Sequence, residues 1–184
     1  MQIPLILTLI RLIIAPIFLP ILLVNFLPLN NIIINVLLAG LFFLFGVTDF
    51  FDGYLARRYR LESISGTILD PLADKFLVSS TLIALTVAQK IYFLWVIIII
   101  LREFFVTGLR EIALSYHCSL PVSYLGKIKT LLQMLLIFFL ILKPYHSSEV
   151  LQIISSILLG TTLFFTLLSG LDYYRCFKRN YNKK

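Results

Sequence analysis

The chain has 184 residues, 60% of them hydrophobic and only 14% charged, against about 25% charged in an ordinary soluble domain, and this excludes a typical water-soluble fold. Sixteen Lys and Arg against nine Asp and Glu leave a formal charge of +7, but the cations are grouped, which points to membrane orientation and to anionic lipid or phosphate and away from nucleic acid. Cys118 and Cys176 form no CxxC or paired spacing, so neither a disulfide framework nor a zinc site is expected.

In chain order, apolar stretches predict about six transmembrane helices and an all-α, polytopic membrane protein, read as one membrane domain over residues 1–184. The first span is expected over residues 5–27. Pro16 and Pro20 inside it suggest a kink, or a short interfacial helix before the true span. Its N-terminal run contains Arg11 and lacks a basic leader and a cleavage site, so it is read as retained. A turn over 28–31 leads to a second span over 32–57, long enough that its last two turns should leave the hydrocarbon. A polar connection over 58–66 precedes a third span over 67–88, and a short turn at Gln89 and Lys90 precedes a fourth over 91–116, with Tyr92 and Trp95 placed for an aromatic belt. The fifth and sixth spans are expected over 124–142 and 150–173, separated by a turn around Pro144 and followed by a basic tail from Arg175 suited to anionic lipid.

Orientation follows from the connecting segments. Arg57, Arg58, Arg60, Lys75, Lys127, Lys129 and the basic tail fall on one side, and Lys90 and Lys143 on the other. The positive-inside rule then puts both termini in the cytoplasm, at a cell inner membrane, which an even number of spans requires.

The chemistry concentrates in one segment. Asp49, Asp52 and Ala56 are spaced by three and four and share a helical face, with Gly53 and Arg57 one step round, and Asp70 and Asp74 lie four apart on the next helix. Two neighbouring helices can thus direct four carboxylates at one point. Such a cluster at a membrane repels itself and resists desolvation unless divalent cations neutralise it. Oxygen donors without His or Cys favour Mg²⁺ or Mn²⁺ over zinc, and metals so held commonly serve phosphoryl chemistry. The plain alternative is a set of helix caps and salt bridges to Arg57, Arg58 and Arg60.

The full string decides against that alternative: Asp49, two residues, Asp52-Gly53, two residues, Ala56-Arg57, eight residues, Gly66, three residues, Asp70, three residues, Asp74. In every spacing it resembles the signature of the CDP-alcohol phosphatidyltransferase family. The resemblance implies a six-helix membrane enzyme, a homodimer, that passes the phosphatidyl group of a CDP-linked lipid to an alcohol and releases CMP. It implies Asp49, Asp52, Asp70 and Asp74 as ligands to two Mg²⁺ or Mn²⁺ ions, Asp74 also as general base, and Asp52, Gly53, Ala56 and Arg57 as bounds of the CDP site.

Four more segments, at residues 3–11, 70–78, 101–113 and 126–134, are similar to the bacterial branch of that family that takes sn-glycerol 3-phosphate as acceptor. The chain departs from that branch at Leu5, in place of the usual Asn, and at Ser63-Ile64-Ser65 before Gly66. A phosphorylated acceptor agrees with Arg110, Lys127 and Lys129, and less directly with Arg102, because a cation in or beside a membrane span needs an anionic partner; Arg11 and Thr8 either reach the phosphates from the first helix or serve as interface anchors. Set against this, Glu103 and Glu111 could neutralise the arginines, Glu103 sharing a face with Arg110 at a spacing of seven, and the lysines could serve orientation alone. His117 and His146 read as interfacial. Other acceptors, phosphatidylglycerol or an inositol, would use the same chemistry. An ion transporter would spread its acids through the membrane depth, whereas here five of nine, the four aspartates among them, fall within one 26-residue segment.

Overall fold

Six α-helices and one 3-10 turn account for almost all of the described chain: α1 Ile3–Phe26, the turn Leu27–Leu29, α2 Ile32–Tyr59, α3 Ile64–Val87, α4 Phe93–Ser115, α5 Tyr124–Leu142 and α6 Glu149–Tyr181. This computed structural model describes the backbone of residues 3–59, 64–116, 123–145 and 147–181, and the side chains of 13–46, 75–116, 123–145 and 147–179. Among the described residues there is no strand. His117, Cys118 and His146 lie outside them.

Of the two readings of Pro16 and Pro20, a kink or a separate interfacial helix, the second does not hold. Pro16 and Pro20 both sit inside the single 24-residue helix α1. Each removes one backbone donor, a loss that an apolar, well-packed helix tolerates. Among the described side chains of α1 every fourth is buried, at Ala15, Leu19 and Leu23, a row continued by Leu27 of the following turn, while Ile13, Ile14, Ile17, Phe18 and Ile21 are exposed. The helix is therefore apolar on both its packed and its outward faces, as lipid contact demands. Among the described residues, α5 and α6 are long and apolar enough to cross a membrane, and shorter apolar helical stretches occupy 13–29, 32–46 and 75–87.

The helices group into two compact units, one of residues 1–92 with 137–147 and one of 93–136 with 148–184, so that about two thirds of α5 belongs to the second and the rest to the first. In the first unit α1 packs along α3 and, over a shorter stretch, against α2. Its helix ends are closed by specific caps. Asn31 Oδ1 accepts the Ile33 N–H at 2.9 Å and starts α2. At the end of α3, Lys90 N–H reaches Leu85 O at 2.9 Å and Gln89 N–H reaches Thr86 O at 3.0 Å, a Schellman closure with Gln89 in the left-handed region at φ 55°.

One end of this unit is tied by Tyr145. Its hydroxyl donates to Ala88 O at 2.6 Å, and its N–H donates to Asn30 Oδ1 at 3.0 Å. The Lys90 ammonium lies 3.8 Å from the Tyr145 ring centroid and donates to Lys143 O. Burial and the charge of Lys143 bring the Lys90 pKa down from its usual value to about 8. The three turns of this unit, after α1, α3 and α5, are thereby joined through side chains.

Candidate active site

The two helices that carry the aspartates are continuous through them. Asp49 and Asp52 lie in α2, with Gly53, Ala56 and Arg57 in its closing turns, and Asp70 and Asp74 lie in the first half of α3. Spacings of three and four on unbroken helices keep each pair on one face. The side chains of these residues, and those of Arg11 and Thr8 on α1, lie outside the described ones.

The second unit holds a polar cluster built by α4, α5 and α6. Glu103, on α4, accepts from Arg102 Nη1 at 3.0 Å and from the Lys129 ammonium of α5. The Arg102, Lys129 and Glu103 side chains retain only 9%, 4% and 17% of their exposure, so this is a nearly dry ion triad. Arg102 Nη2 continues to Ser169 Oγ of α6 at 2.9 Å. Gly170 makes room for it: a Cβ there would stand 3.4 Å from Arg102 Cγ.

Two turns further along α4, Arg110 has a different surrounding. Its Nη2 donates to the Tyr173 hydroxyl at 2.5 Å, and its guanidinium carbon lies 4.9 Å from the Tyr173 ring centroid. Arg110 Nε is buried and has no hydrogen-bond partner among the described residues. Arg102 and Lys129 thus share the Glu103 carboxylate, while Arg110 is held by Tyr173.

The expectation that Glu103 neutralises the arginines holds for Arg102 and not for Arg110. Seven residues share a face but are separated by about 10.5 Å along the axis, too far for an ion pair, and Glu103 turns instead to Lys129. Lys127 is exposed whereas Lys129 is buried, because two residues on a helix point to opposite sides; the structure does not bring these two lysines to one point. Glu111 is exposed.

Tyr173, 3% exposed, went unnoticed in the sequence, where it reads as the end of an apolar span. A signal for it was present. Thr162, Thr166, Ser169 and Tyr173 recur at spacings of four, three and four, and all are buried, a polar stripe on the inward face of an otherwise apolar helix. Ser123, just before α5, was missed as well; its backbone N–H donates to the Tyr173 hydroxyl at 2.9 Å.

The chain is similar to known proteins. A family profile described as CDP-alcohol phosphatidyltransferase matches residues 1–168. The chain is similar to a CDP-diacylglycerol–glycerol-3-phosphate 3-phosphatidyltransferase of Rickettsia felis, 40% identical over 152 residues that cover 82% of this chain and 84% of the relative. A protein of the same name from Bacillus subtilis is 40% identical over 139 residues, covering 74% and 72%. Another from Pectobacterium atrosepticum is 34% identical over 182 residues, covering 95% of each. The chain belongs to the CDP-alcohol phosphatidyltransferase family.

Proposed function

We infer that this chain transfers the phosphatidyl group of CDP-diacylglycerol to sn-glycerol 3-phosphate, giving phosphatidylglycerophosphate and CMP. The activity named for relatives along up to 95% of the chain supports the reaction. The observation that carries the acceptor is the half-buried Arg110, held by the Tyr173 hydroxyl through Nη2, whose buried Nε has no hydrogen-bond partner among the described residues. A phosphate monoester supplies two negative charges and the forked geometry a guanidinium matches.

The donor half of the reaction falls to the aspartates. Their four carboxylates, two on α2 and two on α3, form an oxygen-only donor set suited to Mg²⁺ or Mn²⁺, and Asp49, Asp52, Asp70 and Asp74 would hold two such ions. When bound, the ions neutralise pyrophosphate charge and stabilise the departing CMP. Asp74 takes the proton of the acceptor hydroxyl, whose oxygen forms a bond to the lipid-side phosphorus as the bond from that phosphorus to CMP breaks. Gly53 and Ala56 leave the helix face low enough for the CDP group, and Arg57 meets its charge. Catalysis is by positioning and electrostatics, in a single direct transfer.

Six spans, both termini in the cytoplasm and a homodimer in the cell inner membrane complete the proposal, with CDP-diacylglycerol and the acceptor reaching the site from the cytoplasmic side. The grouping of Arg57, Lys75, Lys127 and the tail opposite Lys90 and Lys143 supports this orientation. The deciding assay gives purified protein CDP-diacylglycerol with a panel of acceptors: sn-glycerol 3-phosphate, phosphatidylglycerol, inositol and inositol phosphate. CMP release is expected with the first alone, and turnover with another acceptor at equal or greater rate overturns the assignment.

A further inference from the structure

The Tyr173 hydroxyl joins three elements at one atom. It accepts from Arg110 Nη2 of α4 at 2.5 Å and from the backbone N–H of Ser123, the N-cap of α5, at 2.9 Å, while its own backbone belongs to α6. Ser123 Oγ in turn accepts the Gly126 N–H at 3.1 Å. In a capping box the N-cap hydroxyl accepts the N–H three residues on, and a Glu or Gln at that third position returns a bond to the N-cap N–H. Here the third position is Gly126, which has no side chain to return it, and the phenol of α6 takes that role from another helix.

The phenol lies close over Gly126: a Cβ there would already touch the Tyr173 hydroxyl oxygen at 3.4 Å, so that a side chain larger than Ala would press on it. The ring contributes a second hold. Its centroid lies 4.9 Å from the Arg110 guanidinium and 5.7 Å from that of Arg102. Bonded through Nη2 and stacked on the ring, Arg110 loses most of its rotational freedom before any ligand arrives. The entropy of ordering it is then not subtracted from binding.

We propose that Tyr173 is a positioning residue of the acceptor half of the site, its phenol fixing the Arg110 guanidinium against the N-terminus of α5 so that the arginine is preorganised for the acceptor phosphate. The proposal rests on the reading of Arg110 as a phosphate ligand. It separates the two functions of the tyrosine: the ring packs and stacks, and the hydroxyl aims.

Tyr173→Phe keeps the ring and removes only the hydroxyl. In detergent micelles, with each substrate varied in turn, this change is expected to raise the KM for sn-glycerol 3-phosphate roughly five- to twentyfold and to leave the KM for CDP-diacylglycerol within about twofold, a split that a general loss of structure does not produce. Arg110→Ala is measured beside it, with the double variant. Because the hydroxyl acts through Arg110, Tyr173→Phe should add nothing to the acceptor KM once Arg110 is gone. Effects that multiply in the double variant, or a Tyr173→Phe enzyme whose two KM values rise together or not at all, overturn the proposal. If Arg110→Ala itself leaves the acceptor KM unchanged, the phosphate role of Arg110 fails, and with it the basis for the positioning role. Gly126→Val supplies a second approach that retains the hydroxyl and displaces it; the same selective rise is expected, and an unchanged acceptor KM counts against the proposal.

Discussion

Arg110 and Glu103, one helical face and two turns apart, have opposite tasks. Arg110→Ala should raise the acceptor KM about tenfold to hundredfold, the value of a charge-assisted contact to phosphate, with Arg110→Lys recovering part because an ammonium lacks the fork; steady-state kinetics decide it. Glu103→Gln should act on stability, since it strips the carboxylate from two nearly dry cations and costs about 3 kcal/mol. Thermal melting in detergent reads this, with Glu111→Gln, at an exposed position, within about 0.5 kcal/mol of wild type. For the aspartates, Asp49→Asn and Asp70→Asn should abolish transfer with membrane insertion intact, and chelation should abolish it until Mg²⁺ or Mn²⁺, but not the larger Ca²⁺, is restored. Equal rescue by Ca²⁺ would count against a catalytic metal. The identity of these residues was legible in the sequence because carboxylates in an apolar chain are conspicuous. The partner choice among Glu103, Lys129 and Arg110 was not, since face-sharing on one helix says nothing of what a second helix presents.

At the scale of elements, hydropathy and turn residues placed all six helices, and the errors lie at their ends. Proline suggested a break in α1 that packing overrode. The last span was expected to stop at residue 173, yet α6 runs on to Tyr181, because Arg175, Lys178 and Arg179 are good helix formers and the last two favour a helix C-terminus. Polarity ends a membrane span without ending a helix. The turn at Gln89 and Lys90 was placed correctly, but its left-handed residue is an exposed Gln where Gly is the usual choice. Gln89→Gly should therefore stabilise the protein by about 1 kcal/mol, seen as a higher melting temperature; a lower one would show that the Gln side chain holds the turn.

At the scale of the whole molecule, the membrane character was readable from composition, whereas the tie between turns through Tyr145 was not, because it joins residues far apart in sequence that carry no motif. Lys90 gives this tie a pH signature. Its folded pKa of about 8 lies below its ordinary 10.5, so between these values the unfolded chain holds a proton that the folded chain has released. Stability must then rise as pH increases from about 8 to about 10.5. Lys90→Met should flatten the rise in a series of detergent melts across that range, and an identical slope in the variant would remove Lys90 as its cause.

The length of α6 serves as a ruler for depth. Its 33 residues rise about 50 Å at about 1.5 Å each, against a hydrocarbon layer about 30 Å thick. Measured from Glu149, Ser169 stands about 30 Å along and Tyr173 about 36 Å, and an ordinary tilt of about 20° shortens these only slightly. If Glu149 marks the far boundary, the Arg102–Ser169 contact lies at the near edge of the oil and the Arg110–Tyr173 contact just past it, among the headgroups. An acceptor phosphate held by Arg110, as proposed above, would then bind without entering hydrocarbon.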